Sequence, residues 1–344
     1  MPPTAESRAS ASQPARTGTQ AHYKLSVAPM MDWTDRHCRA FHRILAPDAL
    51  LYTEMVHAQA VLHGDRERLL GFDACEHPLA LQLGGSEPSQ LAEATRIGAQ
   101  WGYDEVNLNV GCPSDRVQAG RFGACLMKEP SVVAECVGAM RAVAGIPVTV
   151  KCRLGVDEQE DYPAFLAFID TVAGAGCEEF VVHARKAWLS GLSPKENRDI
   201  PPLRYDWVYR LKQERPQLRI VLNGGLSTVE DSLAQLDRVD AVMLGRTAYH
   251  EPYRLHQLDC ALAGREPLSR EALLRAYLPY VEKQLDQGVA LKHISRHVLG
   301  LFHARPGGRA FRQILSEGAP KPDASVELLE KALAATRPTL ENAA

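Results

Sequence analysis

Short apolar runs alternate with amphipathic segments along the chain from about residue 24 onward. Eight of these runs have the length and apolar content of buried strands, and they span residues 26–29, 50–54, 79–83, 105–110, 148–151, 179–183, 219–223 and 241–244. The stretches between them have helical spacing and span residues 34–45, 55–63, 88–100, 130–144, 161–174, 205–214 and 228–236. This alternation predicts a (β/α)8 TIM barrel. A doubly wound open sheet, which usually has fewer strands, is the alternative.

The strand–helix alternation stops near Gly264, and the apolar positions after it recur at helical spacing. Leu273, Tyr277 and Val281 form one such set, and residues 291–302 form a second. Residues 305–308, Arg-Pro-Gly-Gly, interrupt the pattern. We therefore predict a disordered tail at residues 1–21, a barrel domain at 22–263, a small helical domain at 264–336 and a C-terminal tail at 337–344.

Composition and charge narrow the class of protein. The chain has 344 residues, of which 45% are hydrophobic and 24% charged, as in ordinary soluble globular proteins. No apolar run approaches the length of a membrane span. The net charge is −3, yet residues 265–315 carry nine Lys or Arg against four Asp or Glu. A basic lobe on an acidic body suits a partner with phosphates, and a solvated helical face is the alternative.

Cysteine usage points to a reducing compartment. The chain has eight cysteines and no CxxC pair, so zinc ribbons, iron–sulfur clusters and thioredoxin motifs lack support. Several of these cysteines, such as Cys38 and Cys136, fall within predicted elements, where cysteine acts as a small apolar residue. Residues 1–21 contain no apolar stretch that resembles a secretory signal. We expect a cytoplasmic protein with reduced thiols and no metal.

Polar residues stand at the end of nearly every predicted strand. In a TIM barrel, the active site lies at the carboxyl ends of the strands. The polar residues at those ends are Glu54, Gln82, Asn107, Asn109, Lys151, Arg153, His183, Arg185, Asn223 and Arg246. Such a set is unusual for a purely structural barrel, and it indicates a binding or catalytic site at this end.

The loops after the last two predicted strands have the features of a phosphate site. Gly224-Gly225 lack side chains, so backbone N–H groups can approach an anion, and Gly245-Arg246 add further N–H groups, a helix N-terminus and a guanidinium. This is the usual phosphate position of the barrel, and two ordinary glycine turns are the alternative. With Lys151 near the barrel axis and Pro29-Met30 as an apolar wall, the set suits flavin mononucleotide (FMN). Lys151 would favour the reduced flavin by placing positive charge near its N1 edge.

Cys112 is the candidate proton donor. It lies in Gly111-Cys112-Pro113, in the glycine-punctuated loop that follows the fourth strand. An unperturbed thiol keeps its proton at neutral pH and can act as a general acid toward a carbanion. A buried structural cysteine is the alternative, but the loop position argues against it. Cys125 in the same loop ranks second, because its small neighbours Gly123 and Ala124 favour a packing role.

These motifs resemble the tRNA-dihydrouridine synthase family. The resemblance covers about 220 residues and lies in segments 27–34, 79–83, 107–127, 150–155, 182–185, 223–225 and 244–246. Further details resemble the A-type subfamily, which reduces uridines at positions 20 and 20a of the tRNA D-loop. Those details lie in segments 28–32, 107–114, 183–193 and 303–312. The motifs are in register with the predicted strand ends, and as a set they are highly specific.

The resemblance implies a role for each motif residue. Cys112 would be the proton donor and Asn109 would contact the target uracil. The residues that would hold FMN are Pro29, Met30, Met31, Gln82, Lys151, His183, Asn223, Gly224, Gly225, Gly245 and Arg246. The residues that would contact the tRNA near its D-loop and elbow are Lys195, Arg198, Arg309 and Arg312. NADPH would reduce the flavin and would enter the same barrel mouth, because no second dinucleotide fingerprint is present. We expect a monomer.

The chemistry is consistent with these residues. Conjugation to the C4 carbonyl makes C6 of uracil electron-poor, so reduced flavin can deliver a hydride to C6 while Cys112 protonates C5. The base would have to leave the folded tRNA to reach the barrel, and the basic lobe would select the tRNA face. Three alternatives stay open: an FMN-dependent dihydroorotate-type dehydrogenase, a non-catalytic RNA-binding barrel, and a flavin-free phosphate-sugar isomerase. The basic lobe argues against the first, because a free pyrimidine needs no such surface.

Overall fold

The computed structural model describes residues 22–159 and 161–336. The tails expected at residues 1–21 and 337–344 lie outside the described residues. Eight parallel strands form one sheet, and they are β1 Leu25–Val27, β2 Leu51–His57, β3 Leu79–Gly84, β4 Glu105–Val110, β5 Val148–Cys152, β6 Glu179–His183, β7 Arg219–Asn223 and β8 Ala241–Leu244.

The sheet closes into a barrel through its first two strands. Each strand from β2 to β7 pairs with the next in the chain, and β8 pairs with β1. A parallel bridge between Ser26 and Leu50 joins β1 to the start of β2. Backbone hydrogen bonds of 3.0 Å run there from the Val27 amide to the Leu50 carbonyl and from the Leu50 amide to the Leu25 carbonyl. The TIM barrel is therefore confirmed, and the open sheet is excluded.

Helices surround the barrel, with one or more between successive strands. They are α1 Arg36–Leu45, α2 Ala58–His63, α3 Arg66–Leu70, α4 Pro88–Trp101, α5 Asp115–Ala119, α6 Pro130–Ala144, α7 Tyr162–Gly174, α8 Tyr205–Glu214, α9 Val229–Gln235, α10 Arg246–His250 and α11 Pro252–Ala263. Short 3-10 turns lie at Ala74–Glu76, Gly123–Lys128 and Glu196–Arg198. No described helix is long and apolar enough to cross a membrane.

The local sequence explains the positions of the longer helices. Pro88 and Pro130 occupy the first turns of α4 and α6, where the missing N–H would have no partner inside the helix. Gly102 and Gly145 end the same helices in the left-handed conformation, which glycine adopts without steric cost. The strands lie inside the ring of helices and are buried on both faces. This burial explains their nearly continuous apolar sequence.

Several predicted boundaries were wrong. We expected β1 at 26–29, whereas it spans Leu25–Val27; β5 continues one residue beyond the predicted end. The second predicted strand ended at residue 54 and a helix followed at 55, whereas β2 continues to His57 and α2 begins at Ala58. Residues Met55–His57 pair with β3 after a register shift. Pairing with β3, and not the spacing of apolar residues within the segment, therefore determines that residues 55–57 form a strand.

The helices after the barrel form a lobe beside α1. They are α12 Arg270–Asp286, α13 Leu291–Ser295, α14 Gly308–Gly318 and α15 Glu327–Ala334. The buried Tyr277 of α12 packs against Phe41 and donates a 2.8 Å hydrogen bond to the His37 carbonyl. The helical spacing predicted through residue 302 ends earlier, because α13 stops at Ser295 and turns follow it. The domain boundary at residue 264 stays a prediction.

Candidate active site

Lys151 lies among polar side chains at the carboxyl end of the barrel. Its Nζ donates a 3.0 Å hydrogen bond to Oδ1 of Asn223, whose Nδ2 donates over 2.8 Å to the Met243 carbonyl. These contacts join the ends of β5, β7 and β8. Burial, followed by the charge of Arg153, lowers the pKa of Lys151 to about 8. The ammonium is therefore a titratable donor near neutral pH.

His183 ends β6 next to the glycine pair after β7. Burial and the surrounding cations hold its pKa well below the ordinary value, so the imidazole is neutral and can both donate and accept a hydrogen bond. Gly224 and Gly225 have φ values of 107° and 73°, which only glycine adopts readily. A Cβ on Gly224 would collide with the His183 ring, and one on Gly225 would collide with Leu203. Close packing therefore requires glycine at both positions.

Several cations collect around the loops after β6 and β8. Arg246 donates from Nη2 to Asp199 over 2.6 Å and to the Arg198 carbonyl over 3.4 Å. The buried Nε of Arg185 has no hydrogen-bond partner among the described residues. A Cβ placed on Gly245 would meet no atom within 4 Å, so open space lies beside this backbone. An unpartnered buried donor, open space and excess positive charge fit a bound phosphate.

The loop after β1 lies at the rim of the same end. Met31 is exposed, with 54% of its surface accessible, while Met30 packs against the core. The loop folds back on itself through the Met30 amide, which donates to Oγ1 of Thr34 over 3.0 Å. Glu54, which lies within β2, accepts a hydrogen bond from the Asp32 amide. The loop is thus held from the side of β2, with the Met31 side chain exposed.

Cys112 is anchored by Asn109 from the end of β4. Oδ1 of Asn109 accepts hydrogen bonds from the amides of Gly111 and Cys112 at 3.1 and 3.0 Å. Its Nδ2 donates to Oε1 of Gln82 over 2.9 Å. The Cys112 thiol is partly exposed, and its Sγ lies 3.6 Å from Oγ of Ser114. The structure therefore brings three predicted site residues, Gln82, Asn109 and Cys112, into one connected group.

Cys125 has a different environment in the same loop. Its thiol donates to the Phe122 carbonyl over 3.2 Å. Burial, followed by the charge of Glu129, raises its pKa above the ordinary value. The proton of Cys125 is held by the local backbone, which supports Cys112 over Cys125 as the donor.

The four cations predicted to contact tRNA fall in two places. Lys195 and Arg198 are exposed around the 3-10 turn Glu196–Arg198, next to the Arg246 group. Arg309 is exposed and Arg312 is partly buried on α14 in the C-terminal lobe. Neither of these two arginines makes a hydrogen bond or ion pair within the described residues. The structure thus places one pair at the barrel mouth and the other on the lobe.

Arg153, predicted only as one of the polar strand-end residues, connects two loops of the candidate site. It is buried, and its Nε donates to the Gly111 carbonyl over 2.9 Å. Its Nη1 donates to the carbonyls of Lys186 and Asn197 at 3.0 and 2.8 Å. Arg153 therefore ties the Cys112 loop to the loop after β6. A polar residue at every second position, as at Thr149 and Lys151 in β5 and at Arg153 just after it, is the signal that marks inward-facing side chains.

A cavity of about 430 Å³ lies on another part of the surface. It is lined by His57, Gly85, Glu87, Arg121 and Glu129, among others, and includes none of the residues predicted to bind flavin or tRNA. Within the described part of the chain, no group of three or more His, Cys, Asp or Glu is arranged to hold a metal ion.

A family model described as dihydrouridine synthase matches residues 26–337, which include the barrel and the C-terminal lobe. The chain belongs to the dihydrouridine synthase family. The matched region includes every predicted site residue, and the resemblance identified from the motifs is confirmed.

Named relatives within the dihydrouridine synthase family are close in sequence. A tRNA-dihydrouridine(20/20a) synthase of Xanthomonas campestris pv. campestris is 70% identical over 309 residues, which cover 90% of this chain and 92% of the relative. Proteins of the same name are 57% identical in Shewanella oneidensis and 55% identical in Vibrio cholerae. These matches cover 89% and 90% of this chain and 92% and 96% of the relatives.

Solved structures resemble this dihydrouridine synthase at the level of the fold. An old yellow enzyme homologue from Zymomonas mobilis superimposes with a TM-score of 0.50 at 13% identity, over 71% of this chain and 90% of that one. A 2-naphthoyl-CoA reductase superimposes with a TM-score of 0.53 at 11% identity, over 70% of this chain and half of the longer reductase. These likenesses support the barrel architecture alone.

Proposed function

We propose that this protein reduces the C5=C6 bond of uridine at positions 20 and 20a of the tRNA D-loop, with FMN as cofactor and NADPH as reductant. The observation that carries this proposal is the joining of Gln82, Asn109 and Cys112 by hydrogen bonds at the barrel mouth. A thiol held at the mouth of a flavoenzyme-like barrel is placed where a proton donor to a base would be needed. The identity to named tRNA-dihydrouridine(20/20a) synthases supports the same reaction.

The residues at the strand ends fit FMN. The cationic rim and the open space beside Gly245 suit its phosphate, and Lys151 with Asn223 offers donors to the ring. The other predicted ligands, Pro29, Met30, Met31, Gln82, His183, Gly224, Gly225 and Arg246, lie at the same end of the barrel. When bound, the flavin supplies the hydride for C6 of the uracil.

The residues of this chain perform the remaining steps. Asn109 orients the base through its side-chain amide, and the thiol of Cys112 transfers its proton to C5. The thiolate that results regains a proton from water, because the Cys112 side chain is partly exposed. Lys195, Arg198, Arg309 and Arg312 bind tRNA phosphates. We expect the protein to act as a metal-free monomer in the cytoplasm.

The dihydroorotate-type alternative is not favoured. Its substrate is a free pyrimidine, whereas the family match here extends through the basic lobe to residue 337. The non-catalytic barrel is disfavoured as well, because Cys112 and Lys151 both occupy the mouth with reactive groups accessible to a ligand. The flavin-free isomerase does not account for the thiol.

The test is a reaction of the purified protein with FMN, NADPH and an unmodified tRNA transcript, followed by mass mapping of the RNA. We expect a gain of two hydrogens at uridine 20 or 20a, and no gain in a transcript with cytidine at those positions. NADPH oxidation with free pyrimidines and none with tRNA would instead support the small-molecule alternative. Protein that binds no flavin would exclude the whole mechanism.

A further inference from the structure

A chain of side-chain hydrogen bonds runs through the barrel from the Cys112 loop toward the opposite end. Nδ2 of Asn109 donates to Gln82 over 2.9 Å, and Nε2 of Gln82 donates to Asn107 over 2.8 Å. Nδ2 of Asn107 donates to Oγ1 of Thr149 over 2.8 Å, and Thr149 donates to Oε1 of Glu105 over 2.6 Å. All five residues are buried.

The strand register explains why these residues meet. Glu105, Asn107 and Asn109 alternate along β4 and therefore point to the same face of the strand. Asn107 is in register with Gln82 on β3 and with Thr149 on β5. The network therefore follows the inside of three neighbouring strands from one end of the barrel toward the other.

The direction of donation is determined independently at both ends of the chain. At the mouth, the amides of Gly111 and Cys112 can only donate, so the side chain of Asn109 must present its oxygen to them and its nitrogen to Gln82. Each following amide is then oriented by the one before it. At the far end, the oxygen of Glu105 accepts from Thr149, which leaves the Thr149 oxygen free to accept from Asn107. The two ends require the same direction.

This direction limits what Asn109 can offer to a ligand. Its oxygen already accepts two hydrogen bonds, and its Nδ2 donates one of its two N–H groups to Gln82. The remaining capacity is one N–H donor. A donor can pair with the C4 carbonyl of uracil, whereas cytosine presents an amino group, itself a donor, at C4. A contact from this N–H group to the C4 position would therefore select uracil over cytosine.

We propose that Thr149 and Glu105 are positioning residues that act through this chain to fix Asn109 as a donor and to anchor the Cys112 backbone. The proposal rests on the function proposed above, since it assigns the base contact to Asn109. Neither residue touches the mouth; both lie below it in the barrel. The side-chain amides of Asn107 and Gln82 transmit their effect to Asn109. A buried polar group without a partner is destabilising, so each amide favours the orientation that pairs it with its neighbours.

The surroundings of Glu105 maintain its accepting oxygen. Oε1 also accepts a 2.7 Å hydrogen bond from the hydroxyl of Tyr52. Burial, followed by the charge of Glu179, raises the pKa of Glu105 above its ordinary value. The ionised carboxylate can only accept, and the protonated carboxyl keeps a carbonyl oxygen for Thr149, so both forms are compatible with the direction that the mouth imposes.

Thr149→Val tests the chain, because valine has the shape of threonine without its hydroxyl. We expect faster hydrogen exchange of the Gly111 and Cys112 amides, by about fivefold or more, because the orphaned Asn107 amide favours other orientations along the chain. Thr149→Ser keeps the hydroxyl and should retain slow exchange. Tyr52→Phe is the matched control, since it removes a hydroxyl from the same Glu105 oxygen without interrupting the chain. Exchange should change less than about twofold in that variant.

A second readout separates positioning from general destabilisation. In the FMN-loaded enzyme, Thr149→Val should slow flavin reoxidation by unmodified tRNA by about tenfold and leave flavin reduction by NADPH unchanged, because only reoxidation uses Asn109 and Cys112. Thr149→Ser should restore the reoxidation rate. Equal exchange and equal rates in the Val and Ser variants would overturn the proposal.

The outcome does not depend on the proposed function alone. If the wild-type enzyme failed to reduce tRNA, that function would be wrong, but the exchange comparison would still decide whether Thr149 anchors the loop. If Thr149→Val did not fold, Asn107→Leu would interrupt the chain one link nearer the mouth. The same increase in Cys112 exchange is expected there, and an unchanged exchange rate would reject the chain.

Discussion

Arg296 donates a 2.8 Å hydrogen bond from Nη2 to the carboxylate of Asp35, and the same nitrogen donates over 2.7 Å to the carbonyl of Asp32. Arg296 follows α13 in the C-terminal lobe, whereas Asp32 and Asp35 belong to the loop after β1. His297 adds a 3.0 Å contact to Asp35. The lobe is therefore attached to the loop that carries Met30 and Met31.

Arg296→Ala should loosen this loop. We expect a loss of about 1–3 kcal/mol of unfolding free energy, because the buried side of Asp35 loses a charged partner, and a melting temperature lower by about 2–4 °C or more. Flavin affinity should also fall if this loop lines the flavin site. Arg305→Ala, an exposed arginine of the same lobe, is the control and should change neither quantity.

The same pair predicts a dependence on pH. Burial raises the pKa of Asp35, but His297 and Arg296 outweigh it and hold the pKa well below its ordinary value. Its contribution to stability is therefore present above the unfolded pKa of about 3.9 and is lost as the pH falls below that value. Denaturant titrations between about pH 5 and pH 2 should show a smaller acid-induced loss for Asp35→Asn than for the wild type.

Lys151 predicts how flavin affinity depends on pH. Because its pKa in the folded protein is lowered to about 8, the ammonium is charged below that pH and neutral above it. Flavin affinity that uses this charge should be constant below about pH 8 and fall by up to about tenfold per unit above it. Lys151→Met should bind flavin more weakly at pH 7 and show a flat profile, as measured by flavin fluorescence. Lys24→Met, at the opposite end of the barrel, should behave like the wild type.

Cys112→Ala should separate the two half-reactions. NADPH should still reduce the bound flavin, because that step needs no proton from the thiol. Reoxidation by unmodified tRNA should slow by about 10²- to 10⁴-fold, the usual contribution of a general acid. Stopped-flow absorbance of the flavin measures both steps. Cys125→Ala should retain both rates, and full reoxidation in Cys112→Ala would contradict the assignment of the donor.

Arg246→Ala should distinguish FMN from riboflavin. If the Arg246 guanidinium binds the flavin phosphate, its loss should weaken FMN binding by about tenfold, as expected for the loss of one charge-assisted hydrogen bond. Riboflavin, which has no phosphate, should bind equally well to the variant and the wild type. Arg210→Ala, on the exposed face of α8, serves as the control. Equal losses for both flavins would argue against a phosphate contact.

Arg309→Ala combined with Arg312→Ala should weaken tRNA binding and its salt dependence. Each lost phosphate contact reduces the slope of log affinity against log salt by about 0.7–0.9, so a decrease of about one to two units is expected for the pair. Filter binding over a range of salt concentrations measures it. The control is Lys24→Ala combined with Arg238→Ala, which removes the same charge before β1 and β8. An unchanged slope in the lobe variant would show that tRNA docks on another surface.

The sequence was sufficient to predict the barrel, because parallel strands buried on both faces are apolar runs and amphipathic helices separate them. It also predicts a candidate site at the strand ends, because active-site residues of this fold stand there. Gly224 and Gly225 could be recognised in advance, since their backbone conformation leaves little choice of residue. Boundaries near β2 were wrong where pairing with β3 overrode the local pattern.

Only the tertiary structure decided which side chains meet. Lys151 and Asn223 are separated by 72 positions and by β6, yet closure of the barrel brings them to 3.0 Å. Nothing in the sequence identifies the hydrogen-bond partners of Thr149, a residue of an apolar strand. Its hydrogen bonds to Asn107 and Glu105 depend on the register of β4 with β5. Strand spacing shows which side chains face inward, whereas barrel closure and register set their neighbours, because both arise from pairing between distant segments.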